Sequence, residues 1–389
     1  MPTDITRTPS IDESHFTNVD YTVGWICTLE AELAASQAML DKEHRDLLQA
    51  ENDTNTYSLG QIGGHNVVLA CLPSGTTGIG AAATAARDLL RSFPGVRFGL
   101  MVGVGGGAPS NDPRQDIRLG DVVVSTPKDN DGKEECIFLT KSELTKVTGG
   151  VLQYDFGKTI KDGKFVQTGS LNKPPTVLMT GVSKLRAFHR RKGNTIREHV
   201  NNMLELNPAM QQDFSYQSPE DDQLFQANYD HMGSDKNCES CDEERLIQRK
   251  PRATNVSVVH YGLIGSANQV MRHGVTREKL RQEKGIICFE MEAAGLMDNF
   301  PSLVIRGVCD YSDTHTHKNW QPYAAATAAA YAKELLWVIA PVQVEKTPTA
   351  ADAIKASLFR SSAHHSVLKK LSYLNIGIVG ENEQDWRGC

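Results

Sequence analysis

The chain has 389 residues, of which 40% are hydrophobic and 23% are charged, enough for one large α/β domain or two smaller ones. Its formal net charge of −6 gives no electrostatic attraction to nucleic acid or to an anionic membrane, so neither is expected as a main partner. The longest apolar segment, residues 324–344, is interrupted by Lys333 and Glu334 and is typical of a globular helix, not of a membrane span. The eight cysteines follow no disulfide framework pattern, which predicts reduced thiols and a cytoplasmic location.

The N-terminal region begins with a polar segment, residues 1–20, which lacks the apolar core of a signal peptide and is expected to be a disordered leader. Residues 21–27 are rich in β-branched and aromatic side chains and predict a buried strand. Thr28 is placed to cap a following helix, with Glu30 and Glu32 in its first turn. A carboxylate at a helix N-terminus is stabilised in its ionised form. By position alone, both glutamates are ordinary first-turn acids.

Two glycine-rich segments resemble nucleotide-binding loops but fail the motifs. Residues 74–80 follow a predicted hairpin over residues 57–72, and their outer glycines have the P-loop spacing. However, Ala81 and Ala82 stand where a P-loop requires Lys and Ser or Thr, so an NTPase is not predicted. Residues 104–109 follow a predicted strand but run on as a loop and not into a helix, which excludes a Rossmann fingerprint.

Residues 186–252 form a polar segment that predicts an insertion with helical parts, lying over the active site as a lid. Within it, Cys238 and Cys241 have the spacing of metal ligands. A structural zinc needs four ligands and only His231 lies near, so no metal site is predicted; a turn or a redox role for the two cysteines stays open. A second set that could imitate a metal site is interpreted as an ordinary loop: Asp310, Asp313, His315 and His317.

The segment that best indicates a function is residues 286–313. An apolar run over residues 286–289 meets Glu290 and Glu292, and a second run over residues 303–308 ends at Asp310. Glu292 and Asp310 are therefore expected just beyond the C-terminal ends of adjacent buried strands, where ligands bind in open α/β sheets. Buried acids in such a position are costly to the fold and indicate a functional site.

The segments FEMEAAG and RGVCDYSD within this region resemble the signature of the nucleoside phosphorylase/nucleosidase superfamily, which includes purine and uridine phosphorylases and methylthioadenosine/S-adenosylhomocysteine nucleosidases. The resemblance implies a three-layer αβα domain with a central mixed sheet over residues 21–341, followed by a tail over residues 342–389. It also implies a homo-oligomer that needs no cofactor. Residues 149–157, 168–175 and 260–262 are similar to a fungal branch of the superfamily, often found at the N-terminus of receptor-like multidomain proteins.

The resemblance also implies roles for individual residues. Asp310 would protonate the purine, Glu292 would bind the ribose hydroxyls, and Glu32 would activate the attacking water. Further ribose contacts map onto Met291 and Trp320, and base contacts onto Val270, Met271, Gly105 and Gly106. For Trp320 a packing role stays open.

The expected reaction is hydrolysis of the N-glycosidic bond of a purine nucleoside or nucleotide. Phosphorylases of the superfamily bind phosphate with an Arg and a Ser beside the second glycine segment, but Met101 and Val104 occupy the nearest positions here. Two alternatives stay open: a phosphorolytic purine nucleoside phosphorylase, and a weakly catalytic module that senses a ligand or oligomerises.

Overall fold

The computed structural model describes residues 15–357, except 111, 113–114, 128–148, 234–237, 239, 253 and 316. Its strands are β1 (Val23–Cys27), β2 (Lys42–His44), β3 (Tyr57–Ile62), β4 (His65–Cys71), β5 (Phe98–Gly107), β6 (Val122–Ser125), β7 (Val151–Gln153), β8 (Gly157–Thr159), β9 (Phe165–Gln167), β10 (Val259–Ser266), β11 (Ile286–Glu290) and β12 (Ser302–Asp310). Its α-helices are α1 (Glu30–Ala38), α2 (Ile79–Ser92), α3 (Thr176–Lys192), α4 (Ile196–Leu206), α5 (Gln211–Phe214), α6 (Gly274–Lys284), α7 (Ala293–Met297), α8 (Trp320–Val338) and α9 (Pro341–Glu345).

The main sheet is mixed and is organised around β5. Its strand order is β11-β10-β6-β12-β5-β1-β4-β3-β2, with β7 paired to β10. The central strand β5 pairs in parallel with β1 and β12, and its last residues pair antiparallel with β11. Because β11 also pairs with β10, the strands β5, β12, β6, β10 and β11 form a closed ring of pairings. The predicted α/β class with a central mixed sheet is confirmed by these pairings.

Helices cover both faces of this sheet. A Cβ atom on Gly307 would lie 1.8 Å from the Ala324 carbonyl oxygen, so α8 packs directly on the backbone of β12. A Cβ atom on Gly99 would lie 2.3 Å from the ring of Phe300, which follows α7. Gly99 pairs with Ser302, which lies an odd number of residues before Gly307 in β12. Because side chains alternate between the two faces along a strand, Phe300 and α8 contact opposite faces of the sheet. The helices α1, α3 and α4 pack with α8, and α2 packs with α7, which gives three layers.

The structure corrects two sequence-based expectations about the strands. Residues 104–107 were expected to form a loop, but they continue β5, because glycine backbones allow neighbouring side chains to approach closely on both sides. The strands β11 and β12 were expected to be adjacent, but β6 and β10 lie between them on one side and β5 on the other. The glycine end of β5 therefore brings the two ends of β11 and β12 together.

The regions outside the central sheet are also partly described. Residues 15–20, assigned to the leader by sequence, contact the domain: the ring of Phe16 stacks on His44, and the Asn18 amide donates to the Ser92 carbonyl. The polar segment begins within α3 and continues through α4, and both helices pack on α8. Most of the predicted tail, residues 358–389, lies outside the described residues. No helix within the described part of the chain has the length and apolarity needed to cross a membrane.

Candidate active site

Glu32 is held at the start of α1 by backbone amides. Its side chain is 3% exposed, and Oε2 accepts hydrogen bonds from the N–H groups of Thr28 (2.7 Å) and Leu29 (3.0 Å). Its Oε1 accepts one hydrogen bond, from the N–H of Val104 in β5 (2.8 Å). The carboxylate thus joins the N-terminus of α1 to the C-terminal end of the central strand. Because a carboxylate oxygen has two lone pairs, Oε1 can accept a second donor.

A buried ion cluster consists of Arg306 in β12, Glu290 in β11 and Glu292 just after β11. The Arg306 Nη2 atom lies 2.5 Å from Glu290 Oε2 and 3.5 Å from Glu292 Oε2, and the arginine is 1% exposed. Glu290 Oε2 also accepts hydrogen bonds from the N–H groups of Glu292 and Ala293 at the start of α7. Glu290 is therefore the principal partner of Arg306, and Glu292 is a secondary one.

Of the two glutamates, Glu292 has the carboxylate with fewer and longer hydrogen bonds. Its Oε1 accepts a hydrogen bond from the N–H of Gly78 at the start of α2 (3.1 Å). Burial raises the pKa of Glu292 to about 7, helped by the charges of Glu290 and Glu32 and opposed by Arg306 and the Gly78 bond. Near neutral pH this group therefore populates both its neutral and its ionised form.

Asp310 ends β12 and has no cation bonded to it among the described residues. Its Oδ1 accepts a hydrogen bond from the N–H of Ser312 (2.9 Å), and Oδ2 faces the weakly donating Cys309 thiol at 3.7 Å. Burial raises the pKa of Asp310, the charge of Asp313 adds to this effect, and the Ser312 bond partly offsets it. The carboxyl group can therefore retain a proton at higher pH than an ordinary aspartate can.

The glycines of β5 allow charged side chains to lie against the backbone of this strand. A Cβ atom on Gly103 would lie 2.4 Å from Glu32 Oε1 and 2.6 Å from Arg306 Nη1. A Cβ atom on Gly106 would lie 2.6 Å from Asp310 Oδ1. No side chain larger than hydrogen fits at either position without displacing a charged group. Glu32 and Arg306 therefore approach β5 at Gly103, and Asp310 approaches it at Gly106.

Two buried thiols lie near Asp310. The pKa of Cys309 is raised chiefly by burial, and the charges of both Asp310 and Glu32 add to it. The pKa of Cys288 is raised in the same way, with contributions from Glu290 and Asp310 that Arg306 opposes. The Cys309 thiol therefore lies within the electrostatic reach of Asp310 and Glu32, and the Cys288 thiol within that of Asp310 and the Glu290–Arg306 pair.

The residues mapped to the base lie in two different environments. Gly105 and Gly106 lie near the C-terminal end of β5, where Gly105 is beside Cys288 and Gly106 is beside Asp310. Met271 is 8% exposed and packs in a small apolar cluster with Phe289, whereas Val270 is 56% exposed. Further members of this cluster are Ala108, Leu152, Leu263 and Ile286. Met271 thus lies close to the end of β11, and Val270 points to the surface.

The two further residues mapped to the ribose are not equivalent either. Trp320 is 1% exposed, and its ring packs edge-on against Tyr216 at 5.5 Å and Tyr323 at 5.9 Å. These contacts join α8 to the polar segment and give Trp320 a packing role, the alternative left open by sequence. Met291 is half-buried between Glu290 and Glu292.

The acids are not on the walls of three sizeable cavities of the described structure. Those cavities have volumes of about 980, 590 and 390 Å³, and none is lined by Glu32, Glu292 or Asp310. The loop before α2 lies against Glu292, since the Gly78 N–H donates to the Glu292 carboxylate, and the neighbouring Ile79 N–H donates to the Asn268 side chain (3.0 Å).

Sequence reasoning missed two of the groups that shape the site, Arg306 and Glu290. A signal for Arg306 was present, because a charged residue in the middle of the apolar run LVIRGV is expensive to bury without partners. Glu290 was visible beside Glu292, but the sequence does not show which of the two takes the arginine. A second finding concerns metals, none of which was predicted: a ligand atom from each of His231, Cys238 and Cys241 lies within 4.8 Å of the others.

Comparison with known proteins gives one curated relative and several similar structures. A nucleotide-binding leucine-rich repeat (NLR)-like protein of Hyaloscypha variabilis is 46% identical over 325 residues, which cover 83% of this chain and 30% of that protein. The chain thus spans about a third of the length of the curated relative it matches. No family model matches the chain.

The similar solved structures include a futalosine hydrolase and several nucleosidases. Futalosine hydrolase of Helicobacter pylori has 13% identity and a TM-score of 0.49, covering 82% of this chain and 98% of that one. The 5′-methylthioadenosine/S-adenosylhomocysteine nucleosidase of Neisseria meningitidis has 16% identity and a TM-score of 0.48, covering 81% and 97%. The corresponding nucleosidase of Colwellia psychrerythraea has 17% identity and a TM-score of 0.49, covering 82% and 96%.

Proposed function

We propose that this protein cleaves the N-glycosidic bond of a purine nucleoside or nucleotide by hydrolysis. The observation that carries the proposal is that an acid of raised pKa, Asp310, and a separate buried carboxylate group, Glu292, follow the apolar parts of two strands, β12 and β11, that both pair with the glycine end of β5. Breaking this bond requires a protonated leaving base and a sugar that tolerates positive charge. The two acids can meet these two requirements separately.

Asp310 acts as the general acid. Among the described residues its Oδ2 atom accepts a hydrogen bond only from the Cys309 thiol, so it can carry a proton and give it to a purine nitrogen, N7, placed against Gly106. The base then leaves as a neutral purine, and the electrons of the broken C–N bond stay with it. A positioned acid of this kind contributes roughly 10²- to 10⁴-fold to the rate.

Glu292 binds the ribose. In its ionised form it accepts hydrogen bonds from the 2′ and 3′ hydroxyl groups, because both oxygens retain lone pairs beyond their contacts with Gly78 and Arg306. These bonds strengthen as positive charge develops on the sugar. Substrate entry involves the loop before α2, whose Gly78 amide holds the same carboxylate.

Glu32 polarises the attacking water. Its ionised carboxylate is fixed by three backbone amides, and the remaining lone pair of Oε1 accepts a hydrogen bond from water. The proton passes from this water to the carboxylate as the C–O bond forms at the sugar. Water is favoured over phosphate because Val104, whose amide holds Glu32, has an apolar side chain and offers no hydroxyl to a phosphate group.

The test is to incubate the purified protein with a panel of purine nucleosides and nucleotides, with and without phosphate, and to separate the products by chromatography. The proposal predicts free base plus free sugar or sugar phosphate, at a rate independent of added phosphate. Strict dependence on phosphate with formation of a sugar 1-phosphate would show the phosphorolytic alternative. Tight binding of a nucleoside without any release of base would support the ligand-sensing alternative.

A further inference from the structure

The polar segment carries a cluster of soft metal-binding groups outside the site of the proposed reaction. Cys238 and Cys241 form a tight turn in which the Cys241 N–H donates to the Cys238 carbonyl at 3.0 Å. The imidazole of His231 lies against this turn, with Nδ1 at 3.1 Å from Cys241 Sγ. One ligand atom from each of the three residues lies within 4.8 Å of the other two, and Cys241 is buried.

The donor set of two thiols and one imidazole selects the metal. Thiolate and imidazole ligands suit zinc, whereas calcium and magnesium take oxygen ligands. Zinc–sulfur bonds of about 2.3 Å and zinc–nitrogen bonds of about 2.0–2.1 Å place tetrahedral ligand atoms roughly 3.5–4 Å apart. The spacing of the three side chains fits this arrangement without a change of the backbone fold.

His315 lies next to these three residues, although its ring nitrogens are outside the group of ligand atoms within 4.8 Å of one another. It is 1% exposed, and its Nε2 atom has no hydrogen-bond partner among the described residues. Its ring lies 5.7 Å from that of His231, at an angle of 78°. Its Nδ1 atom lies 3.4 Å from Asp313 Oδ1, and a carboxylate on the second ring nitrogen is the usual way to orient a histidine ligand. The ring is also stacked on Phe225, with centroids 4.1 Å apart.

We propose that His231, Cys238 and Cys241 bind one Zn²⁺ ion, and that a shift of the His315 side chain brings its Nε2 atom in as the fourth ligand of a closed structural site. Three of the ligands belong to the polar segment and the fourth to the loop that follows Asp310. The two regions are already in contact through the His231 N–H, which donates to Thr314 Oγ1 at 2.7 Å. The metal therefore fastens the polar segment to the loop that follows the general acid.

The first experiment measures metal content. Wild-type protein, freed of loosely bound metal by dialysis, should retain about one zinc per chain, as a site with four protein ligands does. The variants Cys238→Ser and Cys241→Ser should lose this zinc, while the matched control Cys71→Ser, in β4, should keep it. Equal zinc in wild type and in the Cys238→Ser/Cys241→Ser double variant would overturn the proposal, and so would wild-type protein that takes up no added zinc.

Cobalt substitution tests the thiolate ligands in the wild-type protein and the fourth ligand in a variant. Replacing zinc with Co²⁺ in the wild-type protein should give the thiolate-to-metal absorption and the visible bands of a tetrahedral site. His315→Ala should retain the thiolate absorption but lose affinity or change the visible bands. Unchanged affinity and bands in His315→Ala would remove His315 from the site, and a disulfide between Cys238 and Cys241 in protein that has taken up no metal would contradict the zinc site.

The third readout is thermal stability, which does not depend on catalysis. A chelator should lower the Tm of the wild-type protein and leave the Tm of Cys241→Ser unchanged, because only the wild type has zinc to lose. An equal response of the two proteins to the chelator would contradict a structural zinc. Base release by the zinc-loaded protein is measured separately, so a failure of the proposed reaction would leave this result intact.

Discussion

Buried acids in this protein differ in whether a cation is bonded to them. Burial would raise the pKa of Asp121, but hydrogen bonds from Arg252 and His260 outweigh it and lower the pKa. Asp313 has its pKa lowered by His315 and Arg277 in the same way, against the effect of burial. Asp310 has no bonded cation among the described residues, and burial raises its pKa. The partnered acids have a structural role, and Asp310 is left able to exchange a proton.

The first prediction concerns this proton. Asp310→Asn keeps the shape of the side chain but removes its acidity, so base release should fall roughly 10²- to 10⁴-fold. The Tm should change little, because Asn can still accept the hydrogen bond from the Ser312 N–H. Quantitative chromatography of the released base checks the rate, with Asp46→Asn, an exposed aspartate, as the control. A variant as active as the wild type would remove Asp310 from the mechanism.

The second prediction concerns Glu292 and pH. Its pKa is raised by burial from 4.5 to about 7, so the folded protein keeps a proton that the unfolded chain releases across that interval. This carboxyl group therefore makes folding progressively less favourable as the pH rises from about 4.5 to 7. Glu292→Gln removes the titration, so the Tm of the variant minus that of the wild type should increase over this interval. Thermal unfolding at several pH values measures the difference, and Glu43→Gln, an exposed control, should show no such trend.

At the scale of elements, β5 is the strand whose composition matters most for the site. The third prediction is that Gly103→Ala destabilises the protein by about 1–3 kcal/mol, because the added methyl group would overlap the Glu32 and Arg306 side chains. Gly80→Ala is the matched control, since its Cβ would have no neighbour within 4 Å and lies in α2, where alanine should stabilise by about 0.5–1 kcal/mol. Chemical denaturation measures both. Equal stability changes of the two variants would show that the space beside Gly103 is not filled as described.

The sequence predicted most elements, because local patterns determine them. The hairpin over residues 57–72 is observed as β3 and β4, paired antiparallel, and the helix after Thr28 is α1. The extension of β5 through residues 104–107 was not predictable, since glycine has low strand preference and the pairings with β11 and β12 that hold it extended come from distant parts of the chain. The separation of β11 from β12 in the sheet was missed for the same reason.

The site was predictable in part. Glu292 and Asp310 were expected to form a site because they follow apolar runs in the sequence, whereas the role of Glu32 was assigned only from the family resemblance. The partner of each acid is set by tertiary contacts, so the sequence did not show that Arg306 binds Glu290 closely and Glu292 only weakly. The joining of His231 with Cys238 and Cys241 is clear only once the polar segment is folded.

At the scale of the whole molecule, the polar segment is anchored to the core at its C-terminal end. The guanidinium of Arg252 donates to both carboxylate oxygens of Asp121 at 2.6 and 2.7 Å, and to the Asp116 carbonyl. Asp121 is 1% exposed and also accepts hydrogen bonds from His260 and from the N–H of Val258. This one buried aspartate therefore connects the polar segment with β10 and with the start of β6.

The fourth prediction tests this anchor. Arg252→Ala should cost about 1–3 kcal/mol of stability, because part of the buried Asp121 carboxylate loses its partner. Arg245→Ala is the control within the same segment: its pairing with Asp242 is half exposed, so its removal should change stability by less than about 0.5 kcal/mol. Urea unfolding compares the two variants. A smaller effect at Arg252 than at Arg245 would mean that Asp121 does not hold the segment.

The central claim is that one purine nucleoside is held between Asp310 and Glu292, with Glu32 facing the sugar. The most direct measurement is a crystal structure with an uncleavable purine C-nucleoside soaked or co-crystallised. We expect Asp310 within hydrogen-bond distance of N7, about 2.6–3.2 Å, and Glu292 bonded to the 2′ and 3′ hydroxyl groups. A nucleoside bound elsewhere, such as in the cavity lined by Arg186 and His260, would contradict the account, as would failure to bind at millimolar concentration.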